Sequence, residues 1–145
     1  MALSTYTASS QTATPKSTHT GLVFAHGTFT LNAAASTTIS DVILLVKVPN
    51  HATIVDGYVT GTQPGGAYVV KVGTQDDDDA LTTAATLSAT SQKNDFDAAT
   101  LPFKVSFSDD VNPQYRWVRA EVVTDASSSL TMSIKCVVVY TMDGI

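Results

Sequence analysis

The sequence predicts an all-β protein: an antiparallel β-sandwich, jelly-roll-like, with a flexible N-terminal arm. Three observations carry that expectation. Charged residues make up only 14% of the 145 residues, while Thr and Ser together make up about a quarter. Low charge with many β-branched residues suits strands and does not suit a helical bundle. Apolar and polar residues alternate with a period of two in several stretches, and no stretch carries a helical period long enough for a helix. Clusters of Gly, Pro, Asn, Asp and Ser separate these stretches at short intervals, as in sandwiches and barrels. A chain of this length forms one domain and buries roughly 68–70% of its unfolded surface, so it needs no staples. Cys136 is the only cysteine, which removes an intrachain disulfide and any multi-cysteine metal site.

Residues 1–20 are almost all small and polar, too poor in apolar surface to offset ~1–2 kcal/mol per residue of backbone ordering. They are expected to be a floppy arm when alone, and an added strand against a partner or sister subunit. Within the arm, Tyr6, Thr12, Pro15, Lys16 and His19 are the side chains expected at such an interface.

Residues 21–145 are expected to form the sandwich domain. Residues 22–31 are β-rich, with Gly27 marking a bulge or a close approach of another backbone. Residues 41–48 are a near-continuous apolar run stopped by Pro49, the pattern of a strand covered on both faces. A turn at Asn50 and His51 leads to a strand over 53–59, and Pro64-Gly65 suits a type II turn before a strand over 67–72. The stretch from 76 to 100 is the least regular. Asp79 is placed to cap a short helix, but the many threonines favour a loop with one short strand. Residues 101–108 alternate, with Phe103, Val105 and Phe107 inward. Residues 115–124 set Tyr115 and Trp117 on one face and Val118, Ala120 and Val122 on the other. The last strand has the cleanest period, with Leu130, Met132, Ile134, Cys136, Val138 and Tyr140 on one side.

Net charge is −5 with eight Lys and Arg, too few and too scattered to neutralise a phosphate backbone, so nucleic acid is not an expected partner. No apolar run approaches the ~20 residues that span a bilayer, and no secretory signal is visible. The expected site of synthesis is a cytoplasm, and a membrane is not an expected partner.

Chemistry is sparse. The Asp76–Asp79 run invites a hard cation, but successive side chains on an extended loop diverge, and an acidic tip in solvent is the expected reading. His19, His26 and His51 have no ligand spacing among them. Glu121 is the only glutamate and lies two residues from Arg119 on a strand, where an ion-paired or solvated carboxylate is expected rather than a general acid. No nucleophile elbow, Walker loop or dinucleotide fingerprint occurs. No catalytic, cofactor or metal residue is assigned, and an enzyme is not expected. Tyr58, Tyr68, Tyr115, Trp117 and Tyr140 are read as core or subunit-contact residues, with a sugar-stacking platform as the alternative.

Residues 40–58, Ser-Asp-Val-Ile-Leu-Leu-Val-Lys-Val-Pro-Asn-His-Ala-Thr-Ile-Val-Asp-Gly-Tyr, resemble the strand–turn–strand of small virion structural proteins of tailed bacteriophages. Val72-Gly73 followed by the Asp run resembles the next strand and turn of that group, and residues 137–143 resemble its closing strand. The likeness spans about residues 36–79 and 130–143. Where that group often continues with an Arg and an aromatic after the Asp run, this chain has Ala80-Leu-Thr-Thr. The resemblance implies a head decoration, or cement, protein on the capsid surface. It would bind the major capsid protein and associate with itself, as a trimer if it follows other jelly-roll decorations. A carbohydrate-binding or host-attachment module on a head fibre or tail is the alternative.

Overall fold

The computed structural model describes residues 5–8, 10–11, 21–31, 40–62, 68–75, 77–87, 92–105, 115–124 and 132–142. Eleven strands are defined there: β1 (Thr5–Thr7), β2 (Ser10–Gln11), β3 (Leu22–Leu31), β4 (Val42–Pro49), β5 (Thr53–Thr62), β6 (Tyr68–Gly73), β7 (Thr82–Leu87), β8 (Gln92–Asp95), β9 (Phe103–Lys104), β10 (Tyr115–Thr124) and β11 (Met132–Thr141). No helix occurs among the described residues. The strands form a five-stranded sheet in the order β1-β4-β10-β6-β7 and a six-stranded sheet containing β2-β3-β11-β5-β8, with β9 also on β5. The pairing of β1 with β4 is parallel, and the other pairings are antiparallel. Several successive strands change layer: β3 and β5 lie in the second sheet, β4 in the first between them, and β10 and β11 in opposite sheets, whereas β6 and β7 are neighbours in one sheet.

Period-two patterning builds the core. Along β10, Val118, Ala120 and Val122 are buried while Trp117, Arg119 and Glu121 are half-buried. Along β11, Met132, Ile134, Cys136, Val138 and Tyr140 all point inward with no exposure. They meet Ile43, Leu45, Tyr68, Val70, Val72 and Leu87 of the first sheet in one hydrophobic cluster. Burial pushes the Cys136 thiol far above its ordinary pKa, so this cysteine packs as a small apolar residue.

Gly27 sits at a close approach of the two sheets. A Cβ there would overlap the Leu45 carbonyl oxygen and lie 2.7 Å from its carbonyl carbon. The glycine thus serves a close approach rather than a bulge, since β3 pairs with β11 in unbroken register from Leu22 to Leu31.

The apolar run of β4 is not covered on both faces, contrary to expectation. Val42, Leu44 and Lys47 are half-buried, whereas Leu45 and Val46 are both fully buried. The cause is a register shift against β10, where Val118 faces Val46 and Arg119 faces Leu44. The extra residue, Leu45, lets two neighbours point to one side. Of the alternating stretch after residue 100, residues 101–105 are described. Among these, Phe103–Lys104 pair with β5, Phe103 is half-buried and Val105 buried, and Phe107 lies outside the described residues. Val105 is tied instead to the turn, accepting from His51 N at 3.0 Å and donating to Ala52 O at 2.8 Å. Between 76 and 100 the threonine-rich segment forms strand β7, and no helix starts at Asp79.

The start of the chain lies on its own sheets. β1 pairs with β4, Ala8 N donates to Leu44 O at 2.8 Å, and β2 pairs with β3. Tyr6 packs its ring 5.5 Å from that of Phe29, bridging the two layers along their common edge.

Candidate binding face

The outer face of the first sheet gathers the most varied side chains of the described residues. Alternation on β10 sends Tyr115, Trp117, Arg119 and Glu121 outward. Pairing sets Lys47 of β4 opposite Trp117, and Lys71 of β6 opposite Glu121. Tyr115 and Trp117 meet edge to face, centroids 6.1 Å apart, and Lys47 Nζ lies 4.8 Å from the first ring and 5.3 Å from the second. Such a cation over partly open rings is worth roughly 0.5–1 kcal/mol and fixes the rings' orientation.

Beside this pair is a depression of about 50 Å³ lined by Leu44, Gln75, Arg116, Trp117 and Arg119. Arg116 is 5% exposed, and Arg119 Nε is buried without an acceptor. Both arginines are among the lining residues, but only Arg119 points outward; Arg116 alternates with Trp117 and pairs with the buried Val48, on the inner side of β10. The hollow's volume is far below the ~300–1,000 Å³ of small-molecule sites, so it accommodates a single functional group.

The acidic turn forms the next part of the face. Gly73 has no room for a side chain because the backbone of Asp78 and Ala80 folds against it, at 2.7 and 2.8 Å from where a Cβ would stand. Thr74 N and Ala80 N both donate to Asp77 O. This tight turn returns Asp78 to Lys71, Oδ2 to Nζ 3.0 Å, and Lys71 also lies 3.8 Å from Glu121. The Lys71 contact holds the Asp78 carboxyl below its ordinary pKa, and Asp78 in turn raises that of Lys71. Partial burial, then the neighbouring Asp78, raises Glu121. Asp77 is raised by its hydrogen bond with Asp79. Carboxylate oxygens of Asp77, Asp78 and Asp79 lie within 4.8 Å of one another. Lys71 already engages the middle one, and Asp77 and Asp79 are exposed. Asp76 lies outside the described residues.

The aromatic residues do not converge on one platform. Tyr68 and Tyr140 are fully buried, Tyr115 and Trp117 lie on the first sheet, and Tyr58 lies on the second under Lys93, 4.9 Å from its ring. His26 is exposed on β3 and His51 is exposed in the β4–β5 turn. Of the residues expected at an interface, Tyr6 is packed against Phe29, while Thr12, Pro15, Lys16 and His19 lie outside the described residues. Sequence reasoning passed over Arg116 and Lys47. The signal available was the run Tyr115-Arg116-Trp117-Val118-Arg119, which holds every Arg and Trp of the chain, residue types enriched at binding hot spots.

The second sheet presents an apolar strip on its outer side. Leu22 and Phe24 are 62% and 68% exposed, and Phe24 stands opposite Val139, with His26 opposite Val137 and Val137 opposite Tyr58.

No family model matches the sequence, and no curated protein matches it. Two solved structures share the fold. A chain of the cyanophage Pam1 capsid asymmetric unit aligns over 92% of this chain and 94% of its own, with a TM-score of 0.70 and 17% identity. A chain of the capsid of Ralstonia phage GP4 aligns over 90% of each, with a TM-score of 0.67 and 18% identity. Near-equal coverage on both sides means that each of those chains is about as long as this one.

Proposed function

We propose that this chain is a structural protein of a bacteriophage virion, one that decorates the outer capsid surface and stabilises the shell. The observation that carries the reading is the end-to-end likeness in fold to chains of similar length in two phage capsids. We read the alternation of successive strands between two layers as a jelly roll, an architecture that recurs in viral capsid domains. In this reading the partners are the major capsid protein and further copies of the chain, with a trimer as the working assembly, and no bond is made or broken. The exposed strip of Leu22 and Phe24 supports burial against another chain. Thr12, Pro15, Lys16 and His19 are assigned to the same contacts, as the continuation of a segment whose start already pairs strand to strand.

The mechanism is mass action. A protein that binds the assembled shell and not its dissociated parts stabilises it by about 2.7 kcal/mol at a hundredfold excess over its Kd. Particles assembled without this protein are expected to release their genome at lower temperature than complete particles, and adding the purified protein back restores the difference. Equal release temperatures refute the reading. One observation favours the alternative of a glycan-binding module: Tyr115 and Trp117 keep part of their rings open on a sheet face. Binding on a glycan array that disappears in Trp117→Ala would install that reading instead.

A further inference from the structure

We propose that the outer face of the second sheet docks on the same face of a second copy, about a two-fold axis that crosses the strands at Val137 and Tyr58. The inference rests on the self-association part of the decoration reading and names its contact. Cross-strand pairing arranges this face in rows. Phe24, Val139 and Asp56 form the first, His26, Val137, Tyr58 and Asp95 the second, and Thr28, Lys135, Thr60 and Lys93 the third. Lys135 and Asp56 are both exposed, and among the described residues neither has an ion-pair partner. One Asp56 oxygen accepts from the Gly57 amide at 2.8 Å, which leaves the carboxylate its charge. Phe24, in the same row as Asp56, is 68% exposed.

The placement of these charges is reciprocal. Lys135 and Asp56 lie on adjacent strands two rows apart, about 14 Å along the strands and ~4.8 Å across them. Their midpoint falls between Val137 and Tyr58, which pair with each other. An axis through that point, in the plane of the contact and perpendicular to the line joining the two charges, sets Lys135 of each copy on Asp56 of the other. Extended across the sheet, the axis runs between Phe24 and His26 on β3 and between Lys93 and Asp95 on β8. It therefore lays each Phe24 ring against the other copy's His26, and each Lys93 beside the other copy's Asp95. Lys93 and Asp95 pair within one copy at 3.4 Å, so the contact builds a cluster of four alternating charges. The axis leans ~20° from the perpendicular to the strands, so strands of the two copies cross at about 40°, near the ~30° of aligned sheets. β3, β11 and β5 are ten residues each and present roughly 500 Å² per copy at the usual strand spacings. Two copies then reach the roughly 1,000 Å² expected of a specific interface. A shell protein gives no reason for the face to match its own rotated image. A patch used alike on both sides closes at two copies, unlike the contacts between dissimilar patches that close a trimer.

Analytical ultracentrifugation of the full-length protein at low salt, over a concentration series, tests the contact. Wild type is expected to associate in twos. Lys135→Glu sets like charges together at both reciprocal contacts, and so does Asp56→Lys. Each is expected to weaken association by about tenfold or more. Mixed one to one, the two variants form a pair in which one contact is native and the other has its charges exchanged, so association returns to near the wild-type level. That recovery also shows that both variants are folded. Wild type that stays a monomer or a lone trimer at every concentration, single variants that associate as tightly as wild type, or a mixture that does not recover each refutes the self-contact. Sedimenting wild type with particles that lack the protein tests the decoration reading separately. Particle binding without pairing in solution overturns the inference and leaves decoration standing. Pairing that behaves as described, without particle binding, upholds the self-contact and overturns decoration.

Discussion

Replacing Gly27 by alanine tests the packing of the two sheets most directly. The new Cβ would overlap the Leu45 carbonyl oxygen and stand 2.7 Å from the carbonyl carbon, against the ~3.5–4.0 Å at which carbon atoms rest. Relief requires β3 and β4 to part by more than an ångström at the carbonyl oxygen, and they belong to opposite layers. Gly27 also faces Cys136 of β11 and Gln11 of β2, so β3 has little freedom to yield. Overpacking costs about 1–3 kcal/mol, and the upper end applies because the obstruction is backbone. The better strand propensity of alanine returns roughly 0.5–1 kcal/mol, leaving about 2 kcal/mol. For a domain of this size that lowers Tm by about 4–8 °C, measured by thermal circular dichroism against the exposed control Thr30→Ala. The collision is with the Leu45 main chain, so trimming its side chain should not help. Gly27→Ala with Leu45→Ala is expected to show the two losses added, with coupling within ~0.5 kcal/mol. A Gly27→Ala protein that melts with wild type, or one rescued by Leu45→Ala, refutes the reasoning.

Other perturbations read different parts of the molecule. Glu121 has a raised pKa in the fold, so the native state favours its protonated form and its contribution falls as pH rises from the ordinary glutamate value through the raised one. Melting curves at stepped pH should therefore show wild type losing ground to Glu121→Gln across that window; the opposite trend contradicts the assignment. Lys71 is raised by Asp78, so its share of stability is complete below the ordinary lysine value and is lost above it; Lys71→Met should flatten the fall in Tm at alkaline pH. Cys136 is fully buried, and a thiol reagent should label it only as fast as the chain opens, at once in guanidinium and far more slowly in native buffer. Truncation through residue 11 removes β1 and β2 from the edges of both sheets. It exposes unpaired strand edges, with light scattering expected to show aggregation and Tyr6→Ala, which keeps both strands and loses the ring against Phe29, a milder destabilisation of about 1 kcal/mol.

What the sequence made legible was whatever a period of two can encode. β10 and β11 bury the side chains their alternation assigns inward, and Gly27 inside a strand signals a bulge or a close approach, of which the unbroken register of β3 selects the second. Failures occurred where a local pattern has two readings. The apolar run of β4 is equally the mark of a doubly covered strand and of a strand with a bulge, and only the register against β10 distinguishes them. After residue 100, Val105 is buried as its parity assigns, while its backbone groups bond to the His51 turn. The candidate face was half legible. Trp117 and Glu121 could be placed outward by parity, whereas Lys47 joins them through cross-strand pairing, and Gln75 reaches the hollow only because the turn after Gly73 folds back. Neither is visible along one strand.

The two outer faces differ in the kind of contact they can make. On the second sheet, Leu22, Phe24 and Val139 form a strip without cations directly opposite them in the ladder, a surface whose burial is driven by area and tolerates sliding. The first sheet offers directional groups instead: the outward Arg119, an oriented Tyr115–Trp117 corner and the Lys71–Asp78 pair at fixed spacing. Directional groups fix register and choose a partner, while apolar area supplies most of the affinity. On the proposed decoration reading both are needed, to hold to further copies and to find one position on a repeating lattice. Dividing the two tasks between opposite faces lets each be altered without the other. A polar substitution at Phe24 is expected to change self-association with little effect on where the protein sits, and a substitution at Arg119 the reverse.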